Sequence, residues 1–113
     1  MINKNTIREC MELCRKCAEE CIATALLCQQ AGLYECAAEC NQCAAACSKV
    51  LAEGFNNMDV FAACEDACNT CTSECDKHNN PYCGYCADVC SECQEACVNI
   101  MDKRLVSHEL INS

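Results

Sequence analysis

Cysteine recurs along this chain in a code of threes and fours. Cys10, Cys14, Cys17, Cys21 and Cys28 form one cluster, and Cys36, Cys40, Cys43 and Cys47 a second. Cys64, Cys68, Cys71 and Cys75 form a third, and Cys83, Cys86, Cys90, Cys93 and Cys97 a fourth. Thirteen of the 17 gaps between successive cysteines are three or four residues, in alternation. A strand changes face at every residue, whereas steps of three and four return to one face of an α-helix. Each cluster therefore predicts one helix carrying a stripe of thiols. The intervening residues agree, because Ala, Glu, Gln and Leu dominate and no proline interrupts a cluster.

The punctuation between clusters supports four helices. Thr6 is placed to cap the first, with Glu9 three residues on in the capping-box pattern. Gly32 marks its end, and Gly54 closes the second, with Lys49 nearby. Asn56 and Asn57 bridge to a third helix opening at Met58 and Asp59. Asn79 and Asn80 end the third, and Pro81 suits the first position of the fourth. Connections this short make neighbouring helices antiparallel. The expected fold class is all-α, an antiparallel up-down-up-down four-helix bundle with a cysteine-lined core. A single domain over residues 1–113 is expected, with helices at roughly 6–31, 33–53, 58–79 and 81–106.

Composition says what such a core is made of. Aromatic residues are only 4% of the chain, so sulfur and methyl groups must supply the interior. A stripe at helical spacing is ordinarily plain core, and free cysteine packs as a small hydrophobe. Ordinary cores, however, are filled with Leu, Ile, Val and Phe. Replacing those residues by cysteine on four helices reads as a wall of ligands. The formal charge of −9 excludes a general nucleic-acid binder, which needs a basic face. Residues 1–6 lack the apolar stretch of a secretory signal, and no window reaches the length of a membrane span. The expectation is a cytoplasmic protein whose thiols are kept reduced, so metal ligation is favoured over disulfides.

Soft thiolates select Cu(I), zinc or iron–sulfur clusters. Continuous helix resists the geometry of a disulfide between residues one turn apart. A linear S–metal–S unit spans roughly 4.5 Å with bonds near the zinc–sulfur length, which suits the eight Cys-x3-Cys pairs. Charge discriminates further. A thiol that releases its proton to a monovalent ion leaves the core neutral, whereas zinc with four thiolates leaves −2 at each isolated site. Multiple Cu(I) ions, near one per cysteine, are the expected cargo. The alternative is a zinc- or cadmium-sequestering thiol protein. An iron–sulfur or thiol redox carrier is more remote, because five Cys-x2-Cys steps lie on helices without the cluster-wrapping loops of ferredoxins. No nucleophile–base pair is present, so no enzyme is expected.

The two ends of the stripes differ. Ile7, Val50, Phe61 and Ile100 continue them at one end, with Met11, Met58 and Met101 close by, and read as an apolar plug. At the other end lie Thr24, which interrupts the first stripe, and Cys28, Cys36, Cys75, His78 and Cys83. His78 takes the next step after Cys75 and is expected to be a metal ligand at the mouth where copper is loaded. Tyr82 and Tyr85 are expected to cover the mouth loop. His108 belongs to a polar tail and is read as a bystander. Glu9, Glu12, Glu19, Glu20, Glu35 and Glu39 are read as a solvated outer face.

These features resemble the bacterial copper storage proteins. The likeness rests on repeated seams such as Cys64-x3-Cys68-x2-Cys71-x3-Cys75 and covers roughly residues 6–101. The absence of a leader and the stretch Glu74-Cys75-Asp76-Lys77-His78 before Cys83 look like the cytosolic branch. The resemblance implies a Cu(I)-filled four-helix bundle that holds cytosolic copper, commonly as a homotetramer. Its cysteine role carries over to all 18 cysteines named above. Cytosolic relatives often have several histidines before the fourth helix, whereas only His78 stands there in this chain. Copper ions are the expected partners, with no nucleic acid or membrane, and any protein donor or acceptor is unspecified.

Overall fold

The computed structural model describes the backbone of residues 4–112 and the side chains of residues 4–103. Four helices follow one another, α1 (Lys4–Gln30), α2 (Tyr34–Glu53), α3 (Asp59–Cys75) and α4 (Pro81–Asn112). Each packs on its neighbours in the chain, and α4 closes the bundle against α1. His108 lies among residues whose side chains fall outside this description.

Sulfur contacts establish the direction of the helices. From Cys10 to Cys14, Cys17, Cys21 and Cys28 along α1, the partners on α4 run backward through Cys97, Cys93, Cys90, Cys86 and Cys83. Along α2, Cys36, Cys40, Cys43 and Cys47 meet Cys75, Cys71, Cys68 and Cys64 of α3. Cys36, Cys40, Cys43 and Cys47 of α2 meet Cys83, Cys86, Cys90 and Cys93 of α4 in the same order, so α2 runs with α4 and against α1. The bundle is antiparallel throughout, as the short connections require.

The helix ends refine the sequence reading. Lys4 is already helical, so Thr6 lies within α1 and is not its N-cap. Gly32 ends α1 with a left-handed φ of +79°. Its N–H donates to Gln29 O, while the Leu33 N–H reaches Cys28 O at 2.8 Å, the paired bonds of a Schellman ending. Gly54 has an ordinary helical φ of −57°. Its value there is space, since a Cβ would sit 2.6 Å from Val50 O and 3.2 Å from the Phe61 ring. Asn57 Oδ1 accepts the Asp59 N–H at the start of α3. Asn80 Oδ1 accepts the Cys83 N–H at 2.8 Å ahead of α4, which opens at Pro81 as expected. α3 stops at Cys75, four residues short of the expected end, because Lys77 and His78 turn their N–H groups onto Glu74 and Cys75 in tight turns.

Two apolar devices shape the tube. At one end Ile7, Val50, Phe61 and Ile100 are buried, and Met11, Met58 and Met101 pack against them. This is the expected plug. Along the side, Ala18 and Ala25 on α1 and Ala37 and Ala44 on α2 are also buried, each pair one heptad apart. The antiparallel register sets Ala18 level with Ala44 and Ala25 level with Ala37. Methyl groups at those levels let the two backbones approach closely, which a larger side chain would prevent.

Phe61 is the largest fully buried side chain of the bundle. Phe61→Ala is expected to destabilise the metal-free protein by about 3–5 kcal/mol, as read by chemical denaturation under reductant.

Candidate metal site

All 18 cysteines face inward and none is bridged to another. Seventeen have no exposed surface, and Cys10 retains 3%. The helical stripes cause this arrangement, because steps of three and four keep every sulfur on the face that each helix turns to the axis. The nearest sulfurs, Cys21 and Cys90, are 3.5 Å apart, far beyond a disulfide bond of about 2.05 Å.

The sulfurs form a ladder. Rungs between α1 and α4 measure 3.6–3.9 Å, and those between α2 and α3 measure 3.6–3.7 Å. Longer contacts join the two sides, such as Cys43 to Cys90 at 3.9 Å and Cys47 to Cys93 at 4.0 Å. One level breaks the pattern. Thr24 stands level with Cys83 where the register calls for a thiol, and its hydroxyl donates to Glu20 at 3.4 Å. Cys83 therefore meets Cys28 and Cys36 instead.

Groups of four sulfurs whose members lie within 4.8 Å of one another recur along the axis. Cys14, Cys64, Cys93 and Cys97 form one; Cys17, Cys47, Cys68 and Cys93 another; Cys17, Cys21, Cys43 and Cys90 a third. Cys21, Cys71, Cys86 and Cys90, and then Cys40, Cys71, Cys75 and Cys86, continue the series. With metal–sulfur bonds of about 2.3 Å, three-coordinate ions need sulfurs about 4.0 Å apart and tetrahedral ions about 3.8 Å. Both spacings are within reach, so distance alone does not choose the metal. Sharing does constrain the filling. Cys17, Cys21, Cys71, Cys86, Cys90 and Cys93 each serve two groups, so adjoining sites must bridge through common sulfurs.

Close packing also sets the protons. At the expected mouth, burial pushes the Cys28 and Cys36 thiols up from their ordinary value. At the plug end, hydrogen bonds from Cys14 and then Cys97 hold Cys10 down at about 4. Cys14 and Cys97 are pushed up, each first by its hydrogen bond to Cys10.

His78 is not on the α3 stripe, because α3 ends at Cys75. It sits in the following turn, 22% exposed, with Nε2 buried, without a hydrogen bond and 3.6 Å from Glu74 Oε1. Glu74 is only 11% exposed and pairs with Lys77 at 2.8 Å, whose ammonium holds the carboxyl below its usual range. His78 and Glu74 line an open cleft of about 210 Å³ with Leu33, Tyr34, Glu35 and Cys36. Cys36 is the sulfur that this cleft approaches. The expected mouth is thus an open groove, lined by neither Tyr82, which is half-buried against the core, nor Tyr85, which is exposed. Glu74 stands in the sequence stretch singled out before Cys83 but carries no role of its own there, although its position four residues before His78 is a usable signal.

Glu9, Glu12, Glu19 and Glu35 lie on the outer face, and Glu20 and Glu39 are half-buried. Arg15 bridges Glu12 and Glu19 there. No helix among the described residues is long and apolar enough to cross a membrane.

A thiol-walled tube with shared sulfur sites invites comparison with known metal carriers. The chain is similar to the copper storage proteins. Residues 53–102 match the copper storage protein family model, a segment that runs from the end of α2 through α3 and into α4. That segment carries nine of the 18 cysteines. The uncharacterized cysteine-rich protein YhjQ of Bacillus subtilis (strain 168) is 38% identical over 39 residues. This stretch is 34% of the present chain and 36% of that relative, so the chain spans about a third of the relative's length. No solved structure matches. The expected resemblance to copper storage proteins is borne out, and the clustered buried thiols fit metal sequestration.

Raised thiols at Cys28 and Cys36 carry a pH consequence. They keep their protons in the folded bundle above about pH 8.5, where an unfolded thiol ionises. Their contribution to stability is complete below that pH and is lost as the pH rises further. The melting temperature of metal-free, reduced protein is expected to fall between about pH 8 and pH 10, as followed by circular dichroism.

Proposed function

We propose that this protein stores Cu(I) in the cytosol, holding many ions as thiolate complexes inside a bundle that is already folded before loading. The observation that carries this reading is the set of 18 unbridged thiols, all turned inward and grouped around shared sulfurs. A bridging sulfur divides its charge between two ions. Monovalent copper with about one thiolate per ion leaves the interior neutral, which a dry core tolerates best. Cu(I) also accepts two or three soft ligands, so it does not require four sulfurs to itself. The copper storage match over residues 53–102 supports the same cargo. Function as a binding protein, not an enzyme, follows from that reading.

Cys10, Cys14, Cys17, Cys21 and Cys28 on α1 act with the thirteen cysteines of α2, α3 and α4 as the ligand set. The thiol proton leaves as each Cu–S bond forms, so loading releases acid. His78 serves as the loading ligand at the mouth, handing ions to Cys36 across the open cleft that both line. Its buried and unbonded Nε2 supports that role. A homotetramer is part of the reading, and the exposed Ile22 and Leu26, one turn apart on α1, supply apolar surface for self-association.

A zinc or cadmium store is the second reading, favoured by the four-sulfur groups that suit tetrahedral ions. Anaerobic titration of the reduced protein separates the two. Copper storage predicts uptake approaching 18 Cu(I) per chain with little change in helical signal. Saturation at four ions or fewer overturns it. His78→Ala is expected to slow loading by several-fold while leaving most of the capacity, and an unchanged loading rate removes His78 from the mouth.

A further inference from the structure

The plug does not seal the tube on every side. Between α1 and α4, close to the plug, an open cleft of about 220 Å³ reaches the wall of the tube at Cys10. Leu13, Ala96 and Ile100 form its apolar side, while Glu9, Asn99 and Lys103 supply polar groups around it. Cys10 is the one cysteine of the 18 that retains solvent exposure, at 3%. Its sulfur is 3.9 Å from Cys97, so the cleft meets the sulfur ladder at its last rung. This place is separated from His78 and Cys36 by the length of the bundle, since Cys10 and Cys36 occupy opposite ends of the stripes.

We infer that this cleft is a second port, at which a small thiol carrying both a carboxylate and an ammonium group withdraws Cu(I) from Cys10. The inference rests on the storage reading for its cargo. The cleft is smaller than the about 300–1,000 Å³ typical of drug-sized ligands, so it suits a molecule near the size of one amino acid. Lys103 complements the carboxylate and Glu9 the ammonium, and the apolar side receives the methylene that bears the sulfur. The step is ligand exchange without redox change. Two incoming thiols bond to the copper in turn, the bonds from copper to Cys10 and then to its rung partner Cys97 break, and the proton of each incoming thiol ends on the cysteine sulfur that it displaces. Copper remains Cu(I) throughout. Bridging sulfurs along the ladder then let ions shift toward the vacated rung, so loading and withdrawal use different ends.

Two measurements on the full chain test the port. In the metal-free reduced protein, a short pulse of iodoacetamide followed by peptide mapping should label Cys10 ahead of Cys14 and Cys97. Labelling of Cys10 no faster than those two overturns the port, whatever metal the protein carries. In the copper-loaded protein, free cysteine should accelerate transfer of Cu(I) to a chromogenic chelator. Lys103→Glu, at the solvent edge, and Ala96→Leu, which narrows the cleft, should each cut that acceleration several-fold. Equal acceleration in both variants and the parent overturns the port. Copper capacity measured on the same samples reports on the storage reading separately, so loss of one result does not mimic loss of the other.

Discussion

Everything in this structure depends on thiols approaching to van der Waals contact without bonding to each other. Sulfurs 3.5–4.0 Å apart are close enough for one ion to span several of them. They are too far apart to be joined covalently without moving a helix. The helices enforce that distance. Each backbone is held by its own hydrogen bonds, and the methyl faces of Ala18, Ala25, Ala37 and Ala44 let α1 and α2 come near while Cβ contacts stop them from coming nearer. The tube is therefore rigid in the dimension that matters for ligation and tolerant in the ligand that fills it.

Such an interior gives up much of what stabilises an ordinary bundle. A thiol is a small hydrophobe, and 18 of them supply less apolar area than the leucines and isoleucines they displace. The plug of Ile7, Val50, Phe61 and Ile100 concentrates the large apolar side chains at one end. That placement leaves the remainder of the axis free for sulfur. It also divides labour along the bundle, with folding stability weighted to the plug and ligand capacity spread along the tube.

Proton placement follows from the same crowding. Burial raises the thiols near the mouth, so the empty tube holds protons there at neutral pH. At the plug end, hydrogen bonds with Cys14 and Cys97 hold the Cys10 thiol down, and Cys10 is the one cysteine that keeps any exposure. Among the described residues of a chain with nine more acidic than basic residues, most acidic groups are exposed and none is fully buried, while the half-buried Glu74 carboxylate is steadied by Lys77 and faces His78.

The three-and-four spacing of cysteine determined the number of helices, their inward faces, and the common destiny of all 18 thiols, because helical periodicity is local and needs no knowledge of partners. Gly32, Asn57, Asn80 and Pro81 likewise announced chain reversals through conformational preferences of single residues. The plug was legible too, once the stripes were continued past their last cysteines. What only the tertiary structure decided is which sulfurs share a site, since that depends on the register between helices and on levels such as Thr24 where the ladder shifts. It also decided the early end of α3, which takes His78 off the stripe and sets it against Glu74, and the cleft that exposes Cys10 between α1 and α4. Those features arise from the fit of one helix end or edge against another, a relation between distant segments that no local pattern of residues encodes.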